Sequence, residues 1–274
     1  MITSPQNERV KHLAALQKDG RLRTEHRHFL VEGPRFVEAA LASLVGQASA
    51  CQQTGMSAPL VEELLYAPSL AGEDHPLAAR ARAKGVKVTL LSKDCYKKIA
   101  DVKAPQGLAA LVTLPEHDLK AAVSRPDALL LVACGLQDPG NLGTMIRSAD
   151  AAGATAVLVV RPAADIYNSK VVRATAGSLL ALPVIAGRED EILAALSSAS
   201  ARVLLAEPRG QTDFRRADWS RPVAIAVGAE AAGFSPAVRA ASAGSVRIPM
   251  WGKTESLNAA AAAALCLYAA RQND

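Results

Sequence analysis

The chain has 274 residues, half of them apolar and about a fifth charged, a balance that excludes a disordered or fibrous protein and allows one large or two ordinary domains. Its formal charge of +5 favours an anionic partner without requiring one. Cys51, Cys95, Cys134 and Cys266 are scattered, with no CxxC and no metal-ligand spacing, so reduced thiols and no metal centre are expected. The N-terminal "MITSPQNERVKHL" carries no apolar signal core. The longest apolar run, "AAAAAALCLYAA", falls short of the roughly 20 residues that span a bilayer. A soluble, cytoplasmic protein is expected.

In chain order, "NERVKHLAALQKD" spaces Val10, Leu13, Ala14 and Leu16 as one helical face. "HFLVEG" reads as a strand and "PRFVEAALASL" as a helix with Pro34 in its first turn. Residues 1–35 hold seven Lys/Arg against four Asp/Glu. Arg9, Lys11, Arg21, Arg23 and Arg27 are therefore candidate contacts to a phosphate backbone, or else a solvated helix face. The polar stretch 46–59 reads as a surface excursion, and "EELLYAP", "VKVTLLS" and "GLAALVTL" as further strands with helices between them. The polar, proline-containing segment 114–127 is the expected linker between domains at 1–113 and 128–274.

Beyond it the pattern alternates again. Strands are expected at 128–135, 156–160, "LPVIA", "RVLLAE", "VAIAVG" and "SVRIP", with helices at 141–152, about 168–177, 189–199 and from about 257. Strands that are apolar throughout imply a parallel sheet covered on both faces. The fold class is therefore α/β, with a smaller α/β domain preceding a parallel-sheet domain.

Three stretches carry chemistry. In "LQDPGNLGTMIRSADAAGA", Leu142, Met145, Ile146, Ala149 and Ala152 form the buried arc of a helix. Asn141 sits at the helix's N-terminal edge, and Arg147 projects away from the core, where Asp150 is a bland surface partner three residues on. "VAIAVGAEAAGFS" ends a buried strand at Gly228, a position that lets backbone approach a ligand or simply turns the chain. In "RIPMWGKTESLNAAAAAALCLYAA" a strand breaks at Pro249, Ser256 is the expected N-cap, and an alanine helix follows. Alanine on every face of that helix suggests close packing against another backbone, in the core or across a dimer interface.

In order and spacing these stretches resemble the three motifs of the SpoU–TrmH family of RNA 2′-O-ribose methyltransferases. "NSKVVRATAGSLLALPV" is similar as well, and the likeness covers about residues 127–272. Residues 1–113, with "FLVEGPRFVEAAL" and "APQGLAALV", resemble more diffusely the ribosomal-protein-like RNA-binding domain that often precedes this catalytic domain. The resemblance implies a SPOUT fold whose C-terminal segment is tied in a deep trefoil knot. It implies S-adenosylmethionine as cofactor and a homodimer whose subunits together complete the active site.

By motif, Gly228, Ile248 and Leu257 would hold the cofactor, and Asn141, Arg147, Glu230, Ser256 and Asn258 the polar side of the site. The substrate implied is RNA, ribosomal ahead of transfer. The family account makes Arg147 the general base. A guanidinium is a poor proton acceptor, and stabilising an alkoxide or clamping a phosphate fits its chemistry equally. Two rivals are a non-catalytic RNA-binding protein keeping the fold and a dinucleotide-dependent oxidoreductase. The first has no chemical need for all five polar residues, and the second lacks a GxGxxG turn.

Overall fold

A computed structural model describes residues 1–42, 60–229 and 233–272. The expected excursion at 46–59 and the candidate Glu230 lie outside the described residues. The rest forms two compact units. One takes 1–42, 60–116 and 167–180, and the other 117–166, 181–229 and 233–272.

The first unit begins with α1 (Glu8–Lys18), capped by Asn7, whose side chain accepts from the Arg9 amide at 2.9 Å. Asp19 then caps a second helix, α2 (Gly20–His26), which the sequence reading did not separate from its surroundings. It ends at Arg27 in the left-handed conformation (φ 56°). There follow β1 (His28–Glu32), α3 (34–42), β2 (Val61–Tyr66), α4 (Pro68–Ala71) and α5 (Pro76–Ala83). β3 (Lys87–Leu90), α6 (Lys93–Ile99) and β4 (Leu108–Thr113) complete the run. The strands form one mixed sheet in the order β1-β4-β2-β3. The apolar stripe of α1, with Val10, Leu13 and Leu16, packs with Tyr96 and Ile99 of α6 against Leu65 and Leu111 of the sheet.

Glu63 is buried within that sheet, where a bare carboxylate would be costly. Burial raises its pKa, but hydrogen bonds from Thr89, Arg9 and Lys87 outweigh that and hold it below the ordinary carboxylate range.

In the second unit, α7 (Leu119–Val123) occupies part of the expected linker, with Asp118 as its cap. The chain continues through β5 (Leu129–Cys134), α8 (Pro139–Ala151) and β6 (Ala156–Val160). α9 (Ser169–Ala174) lies within the sequence of the C-terminal half, yet it groups with the first unit. Its Val171 and Val172 are buried, the Tyr167 ring packs on Phe29 at 4.9 Å, and Asp101 accepts from Ser169 and, at 3.0 Å, from Arg173. Periodicity reports that such a helix needs cover; it does not say which unit provides it.

The remaining elements are β7 (Val184–Gly187), α10 (Glu189–Ser198), β8 (Arg202–Ala206), β9 (Thr212–Asp213) and β10 (Val223–Gly228). After them come α11 (Pro236–Ala240), β11 (Gly244–Arg247) and α12 (Ala259–Arg271). All seven strands run parallel, in the order β7-β6-β5-β10-β8-β11-β9. β5, β6 and most of β10 are buried on both faces, which is why they read as unbroken apolar runs.

α8 and α12 lie side by side and run in the same direction. At one end Asn258 Nδ2 donates to Asn141 Oδ1 at 2.8 Å. At the other, Arg271 donates to the carbonyls of Ala152 (2.7 Å) and Gly153 (2.9 Å), placing a cation on the C-terminus of α8. Among the described residues no helix is long and apolar enough to cross a membrane.

Candidate active site

Parallel strands send their carboxyl ends to one edge of the sheet, where open α/β sheets bind ligands. Two adjoining cavities lie on that edge in the second unit. The first, a cleft of about 210 Å³, is walled by Val227, Phe234, Ile248, Met250 and Leu257, with Gly228 on its floor. The second is a more open groove of about 780 Å³, lined by the β5–α8 turn, Asn141, Arg161, Glu189 and Ser235. Gly233, Phe234 and Ala259 border both.

Gly228 is constrained in a way the sequence does not show. A Cβ there would sit 2.8 Å from the Gly233 carbonyl oxygen, so only glycine lets the turn after β10 fold back against the strand end. The cleft therefore owes its shape to a backbone-on-backbone contact.

α8 begins two residues earlier than its periodicity suggests. Asp138 is the cap and accepts from the Asn141 amide at 2.7 Å, and Pro139 takes the first turn. The expected arc of Leu142, Met145, Ile146, Ala149 and Ala152 is buried. α12 begins later than expected, and its cap is Asn258, which accepts from the Ala260 amide at 2.9 Å. Ser256 does not cap it; its carbonyl accepts from the Thr254 hydroxyl at 3.0 Å while the residue lines the cleft. Capping α12 orients the Asn258 side chain, and its free amide then reaches Asn141, 117 positions away in sequence.

The predicted residues thus separate into groups. Gly228, Ile248, Ser256 and Leu257 line one cleft, and Asn141 lines the adjoining groove beside Asn258. Arg147 lines neither. It is exposed, six residues along α8 from Asn141, a rise of about 9 Å and a turn to a different face. It makes no ion pair with Asp150 or any other described residue.

Of the five basic candidates in the first unit, the structure removes Arg23, which is buried and donates to the Leu16 carbonyl, tying α2 to α1. Three more are spoken for: Arg9 bonds Glu63, Lys11 bonds Glu8 at 2.8 Å, and Arg27 bonds Glu116 at 3.0 Å. Arg21 stays exposed with no carboxylate partner among the described residues. A charge count along the chain cannot see pairing with Glu63 or Glu116, which only folding brings near.

Cys134 ends β5 at the groove. Burial and the nearby Glu189 carboxylate push its thiol up to about 12, so it stays protonated and is no nucleophile at neutral pH. Among the described residues no group of three His, Cys, Asp or Glu side chains converges as metal ligands would. Sequence reasoning missed the groove residues Arg161 and Glu189, which belong to no motif. It also missed the Glu207–Arg239 pair (3.0 Å) beside the cleft.

Comparison with known proteins agrees with this geometry. Residues 128–268 match the SpoU rRNA Methylase family, and residues 7–110 match the MRM3-like substrate binding domain. The chain is 31% identical over 97% of its length, and 97% of the relative's, to the 23S rRNA (guanosine(2553)-2′-O)-methyltransferase of Bacillus subtilis. It is 37% identical over 61% of each chain to the 23S rRNA (uridine(2479)-2′-O)-methyltransferase of Streptomyces viridochromogenes. Among solved structures it resembles an RNA 2′-O ribose methyltransferase, with a TM-score of 0.79, 37% identity and coverage of 99% and 98% of the two chains. It also resembles an AdoMet-bound rRNA methyltransferase from Sinorhizobium meliloti, with a TM-score of 0.84, 29% identity and coverage of 99% and 97%. A sequence, a parallel sheet and a cleft of this kind converge on one conclusion: the chain belongs to the SpoU rRNA methylase family of RNA 2′-O-ribose methyltransferases.

Proposed function

We propose that this protein is a cytoplasmic homodimer that transfers a methyl group from S-adenosylmethionine to a ribose 2′-hydroxyl of large-subunit ribosomal RNA. The observation that carries the reading is the Asn141–Asn258 hydrogen bond. It joins the first and third motifs at the rim shared by an apolar cleft and an open groove.

The cleft suits the cofactor. Ile248, Met250, Leu257 and Phe234 offer apolar walls to an adenosine, and the Gly228 strand end offers backbone groups. When bound, the cofactor supplies an electrophilic methyl group on a sulfonium. The chain's own residues supply alignment and charge. Asn141 and Asn258, each fixed by the other, orient the ribose in the groove, with Ser256 completing the polar side. Arg147 would neutralise the charge that develops on the 2′-oxygen as its proton passes to solvent water.

Arg147 lies outside both cavities of its own chain, and in this reading a second copy presents it to them. A stripe beside it supports this. Leu265 (41% exposed) and Tyr268 (51% exposed) stand with Ala261 on the open face of α12, which packs on α8. The trefoil knot of the family belongs to the same reading, because α12 returns from β11, far across the sheet, to lie beside α8. The first unit supplies RNA affinity through its exposed basic residues, Arg21 foremost, with Lys11 and Arg27 available by exchange of their surface carboxylate partners. Buried, unpaired Cys95, Cys134 and Cys266 suit a reducing compartment.

The test is methyl transfer from labelled S-adenosylmethionine to unmodified large-subunit ribosomal RNA and to transfer RNA, with mapping of the product nucleotide. Label on a ribose of ribosomal RNA is expected. Label confined to transfer RNA would refute the substrate assignment, and label on a base would refute the reaction. The assembly has its own check: Tyr268→Asp should convert a dimer to monomers in light scattering and abolish transfer. A wild-type chain that is monomeric at micromolar concentration would refute the dimer.

A further inference from the structure

The proposed reaction leaves Trp251 unused. It is 83% exposed, in the loop "MWGKTE" between β11 and α12. An indole left in water forgoes the burial that usually decides where tryptophan sits. Its surroundings are organised. The Arg215 guanidinium carbon lies 5.5 Å from the ring centroid, and the same guanidinium grips Asp213 through Nε (2.9 Å) and Nη2 (2.6 Å), which fixes its plane. Exposed Arg209, Arg216 and Lys253 lie on the same two segments, 207–216 and 247–255, with no carboxylate partner among the described residues. Of the acidic residues on these segments, Glu207 and Asp213 are paired with Arg239 and Arg215, and the third, exposed Glu255, lines the cleft. The Trp251 loop also contributes Met250, Glu255, Ser256 and Leu257 to the cleft.

A free aromatic face within a set of unpaired cations fits a ligand with flat π faces and a polyanionic backbone, which is single-stranded nucleic acid. A second copy of this chain fits worse, because its own net charge is positive. We infer that Trp251 is a stacking platform for an unpaired nucleobase beside the methylated ribose, with Arg209, Arg216 and Lys253 holding the flanking phosphates. The inference rests on the methyltransferase reading and adds a positioning residue to it. Trp251 does not touch the reacting atoms; it sets where the RNA strand lies relative to the cleft.

Two tryptophans make the test clean. Trp219 is 2% exposed and donates its indole N–H to the Phe214 carbonyl at 2.9 Å, so added ligand should leave its emission unchanged. In the full-length wild-type protein, a short single-stranded oligoadenylate should quench Trp251 emission, and inorganic polyphosphate, which has charge but no bases, should not. Trp251→Ala should raise the KM for ribosomal RNA on the order of ten-fold and leave the Kd for S-adenosylmethionine unchanged, with Trp251→Phe close to wild type. An unchanged KM in Trp251→Ala, equal quenching by polyphosphate, or dissociation of the dimer by that substitution would each overturn the inference. A wild-type protein that methylates no RNA would instead overturn the proposed function, and the quenching comparison would still decide the role of Trp251.

Discussion

Arg147→Ala is expected to lower methyl transfer by a factor of about 10² to 10³ while shifting stability by no more than about 0.5 kcal/mol. The small stability change follows from exposure and from the absence of any partner within the described chain. The large activity change is expected because the proposed reaction assigns to Arg147 the positive charge beside the developing 2′-oxygen anion. Arg147→Lys separates the roles: substantial activity means that charge suffices, and inactivity means that the planar fork is needed to grip two oxygens. Complementation tests the dimer at the same time. If one subunit supplies Arg147 to the other's Asn141 and Asn258, mixing Arg147→Ala with Asn258→Ala chains should restore about a quarter of wild-type activity. Half of the dimers are then mixed, and each mixed dimer keeps one intact site. No recovery on exchange, with both variants folded and dimeric, would place Arg147 in its own chain's site. Near-normal transfer by Arg147→Ala would return it to an ordinary surface role.

Gly228→Ala is expected to weaken S-adenosylmethionine binding by tenfold or more and to cost about 1–3 kcal/mol of stability, because overpacking here meets backbone rather than a flexible side chain. The added methyl must displace the Gly233 carbonyl, and with it Phe234, a wall of the cleft. A bulkier residue such as valine would disturb the turn further, so it would not report on cofactor exclusion alone. Gly252→Ala is the internal control: a Cβ there meets nothing within 4 Å, so affinity should not change. Calorimetric titration and thermal melts of both variants decide the matter. Unchanged affinity in Gly228→Ala would show that the cofactor lies elsewhere.

The sequence by itself determined most of the second unit. Apolar runs such as "AVLVV" and "VAIAVG" coincide with β6 and β10, because strands buried on both faces have no polar positions to blur their ends. The arc of α8 was legible for a similar reason, since one face of a helix on a sheet must be apolar at a period near 3.6. The helix ends were less so. Ser256 and Asn258 are both competent caps, and only the Asn141 partner across the α8–α12 pair shows why Asn258 takes that place. Charge was the least legible. Arg9, Arg21, Arg23 and Arg27 look alike in sequence, but burial takes Arg23, while Glu63 and Glu116 take Arg9 and Arg27, because ion pairing depends on distances that only the tertiary structure sets. The same holds for α9, whose apolar face asks for a neighbour, and for Gly228, whose need to be glycine arises from a carbonyl five residues on. Periodicity records what each segment must bury; only the fold decides what buries it and which polar groups are left facing the ligand.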